Sequence, residues 1–189
     1  MTASATTAHA RLILRKPVVL IGLMGAGKSS VGLRLADMLG VGFQDSDHEI
    51  VAAAGREISD IFDEFGESEF RRLERAVIAR LLEEHLGVLA TGGGAFMQEE
   101  TRAAIAERAV SVWLKADLSV LIARTTGRTH RPLLNQGNPE EILAELVEKR
   151  YPVYALSDVH VESFHEQTHE EMAGRIIDGL IAQGAVESQ

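Results

Sequence analysis

The stretch "GLMGAGKSS", residues 22–30, limits what this chain can fold into more than any other. It follows the apolar run "VVLI" and leads into "VGLRLADML", whose apolar spacing is helical, so a buried strand passes into a helix through a glycine-rich loop. The pattern G-x-x-x-x-G-K-S falls on Gly22, Gly27, Lys28 and Ser29. Glycines let the backbone curl until successive N–H groups converge on an anion, and the helix that follows aims the positive end of its dipole at the same point. Phosphate oxygens are therefore expected over Gly25, Ala26 and Gly27, with Lys28 reaching the β and γ phosphates. Ser29 is suited to bind Mg²⁺ through its hydroxyl, and Ser30 to add a hydrogen bond to phosphate. A nucleoside triphosphate with Mg²⁺ is the expected ligand.

Strand-like runs at 17–22, 41–47, 87–93, 109–116 and 158–163 alternate with helix-like stretches, and several are apolar at consecutive positions. That pattern belongs to a parallel sheet covered by helices on both faces, so a three-layer α/β fold is predicted. Residues 68–86 place Phe70, Leu73, Val77, Leu81 and His85 or Leu86 on one stripe of a long helix, and a shorter helix ends within Asp60 to Phe65. Residues 125–140 lack periodicity and read as a mobile loop before the helix "PEEILAELVEKRY". Trp113 is read as core, the histidines as structural or surface groups, and the tail "VESQ" as a solvated face.

A length of 189 residues suits one domain, taken as residues 15–185, with 1–14 as a disordered polar leader. The formal charge of −9 opposes a general grip on nucleic acid. With no cysteine there is neither a disulfide framework nor a thiolate metal site, and the cytoplasm is the expected compartment. No apolar stretch approaches the ~18 residues of a membrane span, so no membrane partner is expected.

In "FQDSDHEI", Asp45 and Asp47 stand two apart at the expected end of the second strand, where their side chains share a side. One is suited to hold Mg²⁺ through water and the other to accept a proton from an attacking hydroxyl, although an Asp here also suits a helix cap. The strand "VLAT" runs into "GGG" without the acidic residue that many P-loop enzymes carry there, which makes Asp45 the metal candidate. Gly92, Gly93 and Gly94 let the backbone approach a small ligand with its N–H groups exposed. Arg131, in "HRPLL", is placed for a closing lid to deliver a guanidinium to the transferring phosphoryl group.

Taken together, "GLMGAGKSSVG", "DSDHEI", "GESEFRRLE", "TGGGAF", "RPLL" and "KRYPVY" occur in the order and approximate spacing of shikimate kinase, and this resemblance covers roughly residues 15 to 182. It implies a P-loop kinase fold with a five-stranded parallel sheet, a helical substrate-binding region around 47–75 and a lid around 125–138. It also implies ATP and shikimate as substrates and shikimate 3-phosphate as product. By matching motifs, Asp47 would contact the ring hydroxyls, Arg71 and Arg150 the shikimate carboxylate, Gly93 and Gly94 the same substrate through N–H groups, and Arg131 the γ phosphate. Members of that family are often monomers. The chain departs from the family near the adenine, where "VESFHEQTHEE" has no Pro; Gln167 or Thr168 is expected there, with Arg124 as a second neighbour. The alternatives are another small-molecule P-loop kinase, for gluconate or a nucleotide, and a non-catalytic ligand sensor of the same fold.

Overall fold

A computed structural model describes residues 12–125 and 138–189. The leader up to residue 11, and Arg131 with most of the expected lid, lie outside the described residues. In chain order the elements are β1 (Leu12–Leu14), β2 (Val18–Ile21), α1 (Lys28–Leu39), β3 (Gly42–Asp45), α2 (Ser46–Ala54), α3 (Ile58–Glu84) and β4 (Gly87–Ala90). After a 3-10 turn (Ala95–Met97) come α4 (Glu99–Arg108), β5 (Val110–Ala116), α5 (Leu118–Thr125), α6 (Pro139–Tyr154), β6 (Val159–Ser163), α7 (His169–Ala182) and β7 (Val186–Ser188).

All five expected strand runs enter one parallel sheet, in the order β3-β4-β2-β5-β6, flanked by helices. β2 and β4 are buried at every residue, as their unbroken apolar sequence requires of strands covered on both faces. β2 lies centrally, with Val18 opposite Val88 on one side and Val110 on the other, so the glycine-rich loop leaves the middle of the sheet. Trp113 is buried in β5, as its sequence context suggested.

One boundary differs from the sequence reading, and one break follows it. The second strand ends at Asp45, not Asp47, because the Asp45 carboxylate accepts a hydrogen bond from the Asp47 N–H at 3.0 Å and so starts α2 at Ser46. The expected convergence of Asp45 and Asp47 by strand alternation is thus replaced by a cap: Asp47 lies in the first turn of a helix. The shorter and longer helices expected around 60–65 and 68–86 both belong to α3, which breaks between them at Gly66, where φ is 80° and ψ is 172°. Phe70, Val77 and Leu81 face the core as the stripe predicted; Leu86, beyond the end of α3, is exposed.

A second pairing was not foreseen. β1, which includes the end of the stretch read as leader, runs antiparallel to β7, with Leu12 opposite Ser188, and buries Val186 of the tail read as solvated. Three-residue strands carry too few alternations to be read from sequence. Among the described residues, no helix is long and apolar enough to cross a membrane.

Candidate active site

A cleft of about 670 Å³ opens at the carboxyl ends of the sheet strands, where loops in such sheets gather ligands. Gly25, Gly27, Lys28, Ser29 and Ser30 line it together with Asp45, Asp47, Gly92 and Gly93, and Arg124, Gln167 and Thr168 line it too. Ala26 does not line it: the residue is buried and its N–H donates to the Leu23 carbonyl at 3.1 Å.

The loop has the backbone that its glycines allow. Gly25 and Gly27 take φ values of 85° and 98°, and a Cβ on Gly25 would stand 3.0 Å from Thr125 Cγ2. Gly27 is the N-cap of α1 and supplies no side-chain cap, which leaves the first N–H groups of the helix for an anion. The Lys28 ammonium reaches back to donate to the carbonyls of Gly22 at 2.8 Å and Leu23 at 3.2 Å.

Across the loop, Asp45 serves two partners. While Oδ1 caps Asp47, Oδ2 accepts from the Ser29 hydroxyl at 3.1 Å, joining the two residues expected near the metal. The donors this corner offers are oxygens, the hard set that Mg²⁺ prefers. Among the described residues no group of three metal-ligating side chains occurs, so a cation here would draw its remaining ligands from phosphate and water. Burial, and next the Asp45 charge, push the Asp47 carboxyl above its usual value; Lys28, His48 and Arg71 pull it back.

The remaining predicted residues meet on the glycine triplet. A Cβ on Gly94 would collide with the Arg71 guanidinium, and one on Gly93 would stand 2.8 Å from Arg150 Nη1. Neither the Gly93 nor the Gly94 N–H has a hydrogen-bond partner among the described residues. The Gly92 N–H donates at 3.2 Å to the hydroxyl of Ser46, which is fully buried and ties the triplet to α2.

Two residues of this corner escaped the sequence reading. Glu74 is fully buried, and its Oε2 accepts from Arg71 Nη1 at 2.7 Å and from Gln98 Nε2 at 2.9 Å. Burial raises its carboxyl above the usual value, against the pull of Arg71. The available signal was a carboxylate on the apolar stripe between Phe70 and Val77. Tyr154, also fully buried, donates its hydroxyl to the Gly93 carbonyl. It stands four residues after Arg150, hence on the same helix face.

At the far end Arg124 donates to Ser163 Oγ at 2.8 Å and to the Phe164 carbonyl at 2.7 Å, which holds its guanidinium beside Gln167 and Thr168. The Thr168 hydroxyl is engaged in a capping box with Glu171 at the start of α7. Two histidines read as structural or surface groups, His165 and His169, also line the cleft. They stand four apart in sequence, but α7 begins only at His169, so they do not share a helix face.

The family model for shikimate kinase matches residues 24–181. The shikimate kinase of Paramagnetospirillum magneticum is 56% identical over 88% of this chain and 85% of its own length. That of Caulobacter vibrioides strain NA1000 is 60% identical over 78% of this chain and 74% of its own. A shikimate kinase from Acinetobacter baumannii, solved in complex with shikimate, superposes with a TM-score of 0.83 at 36% identity, covering 89% of this chain and 94% of that one.

Proposed function

Since the chain belongs to the shikimate kinase family and is an ATP-dependent kinase of shikimate, we propose that the cleft divides into a donor end and an acceptor end that meet at Asp47. The observation that carries this reading is a cleft lined by a phosphate-wrapping loop, a half-buried carboxylate and Gly93, with two guanidiniums gathered against the Gly93 and Gly94 backbone, whose N–H groups have no partner among the described residues.

At the donor end, the backbone of Gly25, Ala26 and Gly27 and the start of α1 cradle the ATP phosphates. Lys28 leaves the Gly22 and Leu23 carbonyls to neutralise the β and γ oxygens, and Ser30 adds a hydrogen bond. Ser29 and Asp45 are the residues that would hold Mg²⁺, whose charge would offset that of the phosphates. Gln167, with Arg124 beside it, covers the adenine.

At the acceptor end, Arg71 and Arg150 present planar guanidinium forks to the shikimate carboxylate, for which that geometry is suited. The Gly93 and Gly94 N–H groups hold the same molecule, and Asp47 orients the ring hydroxyls. The 3-hydroxyl then attacks the γ phosphorus in line, giving shikimate 3-phosphate and ADP. Because phosphoryl transfer passes through a loose transition state, positioning and charge neutralisation contribute more than strong base catalysis. Asp47 nonetheless stands ready to take the proton, since burial has raised its basicity. Arg131 stabilises the γ phosphate from a lid over residues 125–138.

A monomer is the proposed oligomeric state and the cytoplasm the proposed compartment. The deciding measurement is ADP release by the purified chain with ATP and Mg²⁺, comparing shikimate with quinate, gluconate and nucleoside monophosphates. Release is expected with shikimate alone; a stronger response to gluconate or a nucleotide would reassign the acceptor end.

A further inference from the structure

Two tyrosines on α6, Tyr151 and Tyr154, make the same kind of contact in different places. Both rings lie edge-on to Trp113, with centroids at 4.8 and 6.0 Å, and both hydroxyls donate to a backbone carbonyl. Tyr151 reaches Ala116 at the end of β5, away from the glycine triplet, whereas Tyr154 reaches Gly93 within it. The Tyr154 hydroxyl carries a specific consequence. The Gly93 carbonyl and the Gly94 N–H belong to one planar peptide unit and point in opposite directions. Fixing the oxygen on a buried hydroxyl therefore fixes the N–H, between two glycines whose backbone has no Cβ to restrict it. Arg150 stands one helical turn before Tyr154, with its Nη1 against Gly93.

We propose that Tyr154 is a positioning residue of the acceptor site. Its hydroxyl sets the plane of the Gly93–Gly94 peptide and ties it to the helix that carries Arg150, so a carboxylate-bearing acceptor meets the Gly94 N–H and the guanidinium in one fixed arrangement. This rests on Arg150 and Gly94 being acceptor contacts. Burial keeps the hydroxyl protonated, and hence a donor, throughout the neutral range, because it lifts the phenol above its ordinary value against the Arg150 and Arg71 charges.

The test compares Tyr154→Phe, Tyr151→Phe and Arg150→Met in the full chain, with kcat, KM for shikimate, KM for ATP and thermal unfolding read for each. Tyr154→Phe is expected to raise KM for shikimate about 10-fold with KM for ATP within about 2-fold, as loss of one hydrogen bond to a preorganised site suggests. Tyr151→Phe, which removes an equivalent hydroxyl from the same aromatic cluster, should leave both KM values within about 2-fold whatever it does to stability. If Arg150→Met raises KM for shikimate and Tyr154→Phe does no more than Tyr151→Phe, the acceptor site stands and the role of Tyr154 is overturned. If neither Arg150→Met nor Tyr154→Phe moves it, the acceptor reading itself fails. Should Tyr154→Phe not fold, 3-fluorotyrosine at position 154 keeps the hydroxyl; its ¹⁹F resonance is expected to move on saturation with shikimate and not with ADP. A resonance indifferent to shikimate overturns the proposal.

Discussion

The phosphate loop of the proposed donor end is written in nine contiguous residues, 22–30, whereas the proposed acceptor end is gathered from α2, α3, the turn after β4 and α6. The donor lysine rests on carbonyls of its own loop, five and six residues away. The acceptor arginine Arg71 is held by Glu74, itself braced by Gln98 from 24 residues further on, and the triplet it faces is pinned by Ser46 and Tyr154. A backbone site needs only local sequence and is self-supporting. A side-chain site built for a carboxylate needs buried partners on distant segments, each a separate point of failure.

The largest expected effect lies where the two ends meet. Asp47→Asn should lower kcat/KM for shikimate by roughly 10²- to 10⁴-fold, since it removes both a proton acceptor and an orienting charge; near-normal turnover would remove Asp47 from the mechanism. The same substitution should raise thermal stability at neutral pH. With its carboxyl raised by burial and the Asp45 charge, the folded chain holds that proton more tightly than the unfolded chain does. Stability from this group is therefore full below the ordinary carboxylate range and is lost as pH rises through the raised value. Thermal unfolding followed from acid to neutral pH should show a shallower decline in Asp47→Asn. A parallel pair of curves would mean that Asp47 ionises freely in the folded chain.

Next in size is Glu74→Gln, which keeps the shape beside Arg71 but removes the buried one of the two carboxylates that hold it, Glu67 being the exposed other. KM for shikimate should rise about 10-fold while KM for ATP stays within about 2-fold. An equal rise in both would erase the distinction between the two ends, since Glu74 would then be acting through the whole fold.

The sequence was most readable where structure is local. β2, β4 and β5, the glycine loop and the buried Trp113 follow from apolar runs and glycine spacing, because a strand covered on both faces leaves a continuous apolar signature. Asp45 and Asp47 were found through a strand rule that does not hold there: a side chain that satisfies a helix N–H converted the expected strand end into a cap. Arg71 and Arg150 looked ordinary by composition and acquired a role only through family resemblance, because the Gly93 and Gly94 backbone that gathers them is contributed by a third segment. Glu74 and Tyr154 went unread, since a buried polar group is marked by its partners: Gln98 and Gly93 lie 24 and 61 residues away, and Arg71, only three residues from Glu74, reads equally well as an ordinary surface pair.

A purely conformational perturbation of the acceptor end is available at Gly66, between the halves of α3. Its φ of 80° with ψ of 172° belongs to a region open essentially to glycine, while an added Cβ would meet nothing within 4 Å. Gly66→Ala should therefore cost about 1–3 kcal/mol from backbone strain alone, read by urea unfolding. KM for shikimate should follow, because the strain sits less than two turns before Arg71, and KM for ATP should not. A stability loss with both KM values unchanged would show that the second half of α3 keeps Arg71 in place without the break.

The smallest expected effect probes the donor end through one of the distant segments beside it. Thr168 lines the cleft, yet its hydroxyl is committed to capping α7, accepting from the Glu171 N–H at 3.1 Å. Thr168→Ala should lower stability by about 1 kcal/mol, the usual worth of a threonine N-cap. KM for ATP should change by less than about 3-fold, since a base is held there by surface contact and not by a committed hydroxyl. Calorimetric titration with ADP measures this directly. A 10-fold weakening would show that the donor end, like the acceptor end, depends on a segment far from its motif, and the contrast between a self-supporting phosphate loop and a braced carboxylate site would then hold for the phosphates but not for the nucleotide as a whole.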